Sequence, residues 1–454
     1  MPATAGFHPG ALFFTNTEKG SFPLGSGGKD APGGKFQWPV PTVEGPRRRW
    51  LIAGMGTVLQ LCLGSVYAWS YFQKPLVEAY GWRNTQVAWT FSLAIGFLGL
   101  SAAVGGVLLP RFGPRKLAVT GSLLYGSSYL LAALALMLKS LPLLWIGYGV
   151  IGGIGLGLGY VTPVATVAKW FPDKKGLVTG MVVMGFGFGA LLMSKVIAPA
   201  LETAFAHQLP MVFAGSGLLL GTLGLVAASF LRNPPDTVAP VTRSSEAWPL
   251  LRSRQFGLMW LVFFCNIAAG IAIISFQSPL LQDLWKKIDP LASPGALAAC
   301  GATLIAVSSV FNGLGRFSWG GLSDRLGQLT AFRLMLGTQV VAFLALRQTA
   351  NPWIFAGLIC YILLCYGGGF GVMPSFVLNS FGPRLMPVLY GCILTAWSTA
   401  GVVGPQAIAW LKDRYGLQAA GYAFSLGAGL LALGFLLSLL LTVSKPGDKA
   451  RVHG

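Results

Sequence analysis

Charge is what this 454-residue chain lacks. Asp, Glu, Lys and Arg make up 10% of it and apolar residues 54%. A soluble domain devotes about a quarter of its residues to charge, so too little polar material is left here to wet a soluble fold of this length. Lipid is the solvent such a surface suits. Acids are the scarcer sign, 13 against 32 bases, for a formal charge of +19. In a soluble protein that excess points to nucleic acid. Here the bases fall in the gaps between apolar runs, as topology signals do, and nucleic acid is not expected as a partner. Histidine is nearly absent: His8, His207 and His453 lie in tails or a loop. The six cysteines (Cys62, Cys265, Cys300, Cys360, Cys365 and Cys392) sit in or beside apolar runs, none at ligand spacing from a histidine. They read as small packing residues. No metal and no cofactor is expected. An enzyme embedded in the membrane would want a His, Asp, Glu or Cys cluster at one depth, and none is visible.

What is present is a series of apolar runs, at about 50–73, 86–109, 115–138, 142–168, 176–199, 211–231, 257–281, 297–320, 329–347, 352–377, 386–410 and 419–442. Each is roughly 19 to 27 residues, enough to cross a ~30 Å hydrocarbon core as a helix. The 62 glycines would weaken soluble helices but suit close packing between membrane helices. The expectation is an all-α membrane protein with about twelve transmembrane helices and both tails on one side. Lys and Arg near the spans are more numerous on that side, among them Arg48, Arg49, Arg111, Arg115, Lys116, Arg252, Arg254 and Arg325. The tail side is therefore expected to be cytoplasmic, in a cell inner membrane. Residues 1–49, rich in Gly, Pro and Ser, lack the layout of a cleaved signal peptide and read as a disordered cytoplasmic tail. A linker at 232–256, with Arg232, Pro234, Arg252 and Arg254, divides a six-helix bundle at 50–231 from another at 257–442, and 443–454 forms a second cytoplasmic tail.

The halves repeat. Phe72-Gln73-Lys74-Pro75-Leu76 closes the first span and Phe276-Gln277-Ser278-Pro279-Leu280 the seventh. Pro163 and Gly180 in spans four and five are separated by the same interval as Pro374 and Gly391 in spans ten and eleven. A duplicated six-helix unit implies two pseudo-symmetric bundles with a shared cavity near mid-membrane.

The loop after span eight reads Gly320-Gly321-Leu322-Ser323-Asp324-Arg325-Leu326-Gly327. Its twin after span two, Gly106-Val107-Leu108-Leu109-Pro110-Arg111-Phe112-Gly113-Pro114-Arg115, has Pro110 in the place of the acid. The first of these resembles the signature of the major facilitator superfamily. That resemblance implies alternating access, with the two loops as conformational latches: the glycines let helices approach, and Asp324 meets a helix N-terminus or a neighbouring Arg in one conformation only. Loss of the acid at Pro110 weakens the case for the first latch (Gly106, Arg111, Gly113, Arg115) beside the second (Gly320, Asp324, Arg325, Gly327). Gln60 to Trp69 in span one, Asn312-Gly313-Leu314-Gly315-Arg316 in span eight and Tyr390 to Trp397 in span eleven resemble the oxalate:formate antiporter family and, more distantly, the monocarboxylate transporters.

Arg316 is the one strong charge in the body of a span. It stands eight residues before Asp324, about 12 Å along a helix. A charge there is costly unless it faces water, a partner or a ligand, and guanidinium does not shed its proton. No Asp or Glu occurs in the body of any span; Glu78, Glu202, Asp283, Asp324 and Asp413 lie at ends or in loops. The missing counter-charge is expected from solution, and a carboxylate fits guanidinium through two parallel hydrogen bonds. The competing reading is that Arg316 snorkels to Asp324 at the membrane face. The family resemblance makes Arg316 the substrate arginine. Tyr67, Trp69, Tyr160, Tyr366, Phe370 and Trp397 are expected to line a narrow cavity with it, and Gln60 and Asn312 to add hydrogen bonds. Lys195, near the outer end of span five, is a weaker candidate that reads as snorkelling.

The oxalate transporter of the resembling family pairs its arginine with a lysine in span eleven. This span eleven has none, which favours a monocarboxylate such as formate, pyruvate or lactate over oxalate. Monocarboxylate transporters place a proton-carrying Asp where this chain has Asn312, so anion exchange, or co-transport of a proton on the substrate, is the expected mode. An exporter of drugs or sugars would show acids or several amides in its spans; an anion sensor would bind without moving its ligand. A monomer in the lipid bilayer is expected.

Overall fold

The computed structural model describes residues 46–171, 175–234, 247–382 and 385–441. Of the expected tails, 1–45 and 443–454 lie outside the described residues, as does the middle of the expected linker; residues 46–49, expected in the first tail, are already helical. What is described is helical throughout, with no strand among the described residues. Eleven helical stretches are long and apolar enough to cross a membrane. They are α1 (Arg48–Tyr80), α2 (Asn84–Leu109), α3 (Arg111–Met137), α4 (Leu141–Trp170), α5 (Val178–Ala204), α6 (Leu209–Ser229), α7 (Arg254–Ile288), α8 (Pro294–Leu326), α9 (Gln328–Gln348), α10 (Pro352–Phe381) and a last stretch, Val388–Leu439, of 52 residues. Gly416, at φ 54°, breaks that last stretch into α11 (388–415) and α12 (Ala419–Leu439), each long enough for one crossing. The chain enters and leaves at the same end of the bundle, called the near end below.

Local chemistry places the helix ends. Ser253 accepts a hydrogen bond from the Phe256 N–H and Ser293 from that of Ala296, while Asn351 accepts from Trp353 and Ile354. Each satisfies donors that a helix start leaves open. The two repeated loops share a device: Gly113 (φ 75°) bends the chain in the first turn of α3, and Gly327 (φ 85°) turns it between α8 and α9. Side-chain-bearing residues avoid that region, so the glycine closing each motif is required by backbone geometry whatever else the loop does.

Glycine also fixes how deep the helices pack. A Cβ on Gly64 would strike the Phe186 backbone, and one on Gly189 the Gly64 backbone, so α1 and α5 cross in near backbone contact. In the other half, a Cβ on Gly315 would strike the Leu364 backbone and one on Gly371 that of Arg316, so α8 and α10 cross in the same way. The halves meet along α5 and α8, where Gly187 faces Gly313, and along α2 and α11, where Gly99 faces Leu394 and Ser398.

At the far end the halves are clasped. The Asp413 carboxylate at the end of α11 accepts hydrogen bonds from the N–H and Nδ2 of Asn84 (3.1 and 3.2 Å) and from the N–H and Oγ1 of Thr85 (3.0 and 2.7 Å). It caps α2 from the opposite half. Lys74 donates to Gln282 Oε1 at 3.1 Å, joining α1 to α7, and Lys195 donates to Thr303 at 2.6 Å, joining α5 to α8. At the near end Asp324, Arg325 and Arg111 are exposed, and Asp324 makes no hydrogen bond or ion pair with a described residue.

Candidate functional site

Arg316 sits about two-thirds of the way along α8 with 2% of its surface exposed. The Gly371 backbone presses against its own, which holds the side chain at the seam between the halves. It does not snorkel toward Asp324. Its Nε–H points to Asn312 Oδ1 and its Nη1 to the Tyr160 hydroxyl, each at a long 3.4 Å. Its Cζ lies 4.7 Å from the Phe370 ring centre and 5.6 Å from that of Phe186, within reach of cation–π attraction. Nη2 has no hydrogen-bond partner. Every described neighbour is neutral.

The rings close round it as a continuous cluster. Phe370 and Trp397 meet edge to face at 4.7 Å, Tyr160 and Trp397 at 5.3 Å, and Tyr366 and Phe370 at 5.3 Å. Tyr67 contacts Phe186, Tyr366 and Trp397, and its hydroxyl hydrogen-bonds to that of Tyr366 at 2.6 Å. That bond ties α1 to α10 across the seam, as the Arg316–Tyr160 contact ties α8 to α4. Trp397 Nε1 is also buried without a partner. Two orphan N–H donors thus belong to side chains packed against the Phe370 ring. Burying such donors unpaired is costly, above all on a charged group.

Of the residues expected from sequence, Arg316, Tyr67, Tyr160, Tyr366, Phe370, Trp397 and Asn312 come together in this cluster. Gln60 supports it from behind, its amide donating to the Tyr160 carbonyl at 2.9 Å while its Oε1 has no partner. Trp69 does not join. Its indole N–H donates to Gln73 and its ring packs on Tyr148 within the first half. Residues two apart on a helix point roughly 200° away from each other, so Tyr67 at the seam sends Trp69 to the other side. Lys195 bonds Thr303 at an exposed site toward the far end. Lys412 forms an ion pair with Asp283 at 2.6 Å. Phe186 was not anticipated; its one signal is the bracket of Gly185 and Gly187, both pressed on neighbouring backbones.

The rings fill the space beside the guanidinium. The adjoining cavity, lined by Tyr67, Gln277, Ser308, Ser309 and Asn312, measures only ≈10 Å³, about one water. It lies on the far-end side of Arg316, where Ser308 donates to Gln277 Oε1 at 2.7 Å.

Two helical bundles enclosing one buried polar site at their seam define a class of membrane protein that works by moving the bundles about that site. The family model described as Major Facilitator Superfamily matches residues 53–405, and the chain belongs to that superfamily. It is a transporter, not an enzyme. The oxalate:formate antiporter of Oxalobacter formigenes is 26% identical over 384 residues, covering 82% of this chain and 87% of that one. The apicoplast pyruvate carrier 1 of Toxoplasma gondii is 26% identical over 459 residues, covering 78% and 82%. Among solved structures, the nucleoside transporter NupG superposes with a TM-score of 0.65 at 13% identity, covering 87% of this chain and 99% of that one, a likeness of fold.

Proposed function

We propose that this chain carries small monocarboxylates across a cell inner membrane by alternating access, with Arg316 as the anion-binding residue. The observation that carries this reading is a buried guanidinium whose Nη2 has no partner, in a seam that offers it no acid among the described residues. The cost of that arrangement, several kcal/mol for an unpaired buried ion, is offset when a carboxylate docks. One oxygen would accept from Arg316 Nη2 and the other from Trp397 Nε1. Two similar proteins named for oxalate, formate and pyruvate support the substrate class. The absence of lysine from α11 leaves one fixed positive charge, which suits one negative charge.

The anion enters when the rings part, and the Tyr67–Tyr366 bond is the contact that must open. Binding the anion cancels the charge that makes closure round bare Arg316 unfavourable, so a loaded carrier closes more readily than an empty one. That favours exchange, or passage of a proton on the substrate, since Asn312 supplies no titrating group beside the guanidinium. The near end, with the excess of Lys and Arg, is assigned to the cytoplasm, where Asp324 and its loop would latch once the far end opens.

The test is uptake of labelled formate, pyruvate and oxalate into proteoliposomes preloaded with the same anions. Arg316→Gln should abolish monocarboxylate counterflow with the protein still folded and inserted. Wild-type counterflow in that variant would end the proposal, and counterflow of nucleosides or sugars but no anion would replace it.

A further inference from the structure

A second cavity lies at the near end, away from the seam. It is ≈300 Å³ in volume, open on one side, bordered by α1, α3 and the end of α6 with the chain just after it, and lined by Arg48, Arg115 and Arg232 together with Leu51, Ile52, Ser229 and Phe230. Three permanent positive charges thus face one space, and no acid lines it among the described residues. Arg48 has a partner of its own, so the case rests on Arg115 and Arg232, whose side chains form no hydrogen bond or ion pair with a described residue.

The site is built rather than accidental. The Arg232 carbonyl accepts from Trp170 Nε1 at 2.6 Å, and Asn233 Oδ1 accepts from Lys169 Nζ at 3.1 Å. Both bonds pin the chain after α6 to α4 and hold Arg232 over the cavity. Leu51 and Phe230, 44% and 40% exposed, present apolar surface beside the charges. Guanidinium forks match phosphate oxygens, and the site stands at the end of the crossings, where headgroups lie. We propose that this cavity binds a phosphate group, carried by an anionic phospholipid whose chains run along Leu51 and Phe230. This site is separate from Arg316 and does not depend on what the carrier transports.

The experiment uses the full chain in a neutral detergent, with binding read by native mass spectrometry. Dioctanoyl phosphatidylglycerol, dioctanoyl phosphatidylcholine and inorganic phosphate are the probes. The wild type should bind phosphatidylglycerol more tightly than phosphatidylcholine, and Arg115→Gln with Arg232→Gln should weaken it about 25-fold, at about five-fold per arginine. Arg115→Lys with Arg232→Lys, which keeps the charge, should retain most of the affinity. If inorganic phosphate binds with the same arginine dependence and displaces phosphatidylglycerol at millimolar concentration, the phosphate site stands and its lipid occupant is overturned. Equal binding of the two lipids by the wild type overturns the proposal without recourse to any variant. So does undiminished binding by the Gln pair when its melting temperature matches the wild type.

Discussion

Replacing Asp413 by Ala should loosen the far end without unfolding the chain. Its carboxylate accepts four hydrogen bonds, two of them from the first backbone N–H groups of α2. Bonds to a charged acceptor contribute ~1.5–3 kcal/mol each when buried. Asp413, Asn84 and Thr85 lie at an exposed end, so most of that is lost to water, and removal of a helix cap, costing ~0.5–2 kcal/mol, is the better guide. We take about 2 kcal/mol, which is ~30-fold in an equilibrium constant. Because α2 and α11 belong to different halves, these bonds exist only while the far end is shut, and their loss acts on the conformational equilibrium. A far-end-open population of about 1% would rise to about a quarter. Spin labels at the exposed positions Ala79 and Lys287, on the far ends of α1 and α7, measure this by pulsed electron resonance in a background without the native cysteines. Asp413→Ala should add a longer distance to the distribution, and Asp413→Asn, which keeps one acceptor oxygen, should give a smaller change. An unchanged distribution in both variants would show that the Asp413 cap does not hold the far end, and that the ring cluster alone does.

Two further substitutions probe the seam. Trp397→Phe keeps the ring that packs on Phe370 and removes the unpartnered N–H. If that N–H meets the substrate, KM for formate or pyruvate in proteoliposomes should rise about tenfold, the worth of one hydrogen bond to a charged ligand, and an unchanged KM would remove Trp397 from the anion contacts. Asn312→Asp places a carboxylate where the Arg316 Nε–H already points; uptake should fall at neutral pH and recover in part on acidification as the new carboxyl is protonated. Full uptake at neutral pH would show that Arg316 is not the anion receptor.

Arg316 was legible in the sequence because a charge inside an apolar run has no inexpensive place to go, and the structure places it among neutral groups. The spans and the repeat were legible for similar reasons: a bilayer demands long apolar runs, and Gly113 and Gly327 do a backbone task that side-chain-bearing residues do not. Phe186 was not legible. Aromatics occur in nearly every span, and what selects this one is the close crossing of α1 and α5 at Gly64 and Gly189, a property of two segments read together. Asp413 was passed over because an acid at a span end is ordinarily solvated, and its partners stand more than three hundred positions earlier in the chain. Trp69 misled because a motif read as a string ignores helical phase. Its neighbour Tyr67 faces the seam, so Trp69 faces Tyr148.

The two ends of the bundle are therefore asymmetric in a way that bears on the transport cycle. The far end is held by short polar clasps between halves, Asp413 to α2 and Lys74 to Gln282, whereas Asp324 at the near end has no described partner. Between them, the Tyr67–Tyr366 bond and the Arg316–Tyr160 contact cross the seam at the site itself. Opening toward the far end must break the clasps and the tyrosine pair. An anion bound at Arg316 acts on the middle of this set. On the proposed reading it would compete with the Tyr160 hydroxyl for the guanidinium, enter only while the tyrosine pair is open, and neutralise the charge round which the bundles close. A neutral solute of the same size would displace the rings but leave the buried charge uncompensated. On the proposed reading the carrier would distinguish its substrate by charge at the step of changing conformation as well as at the step of binding.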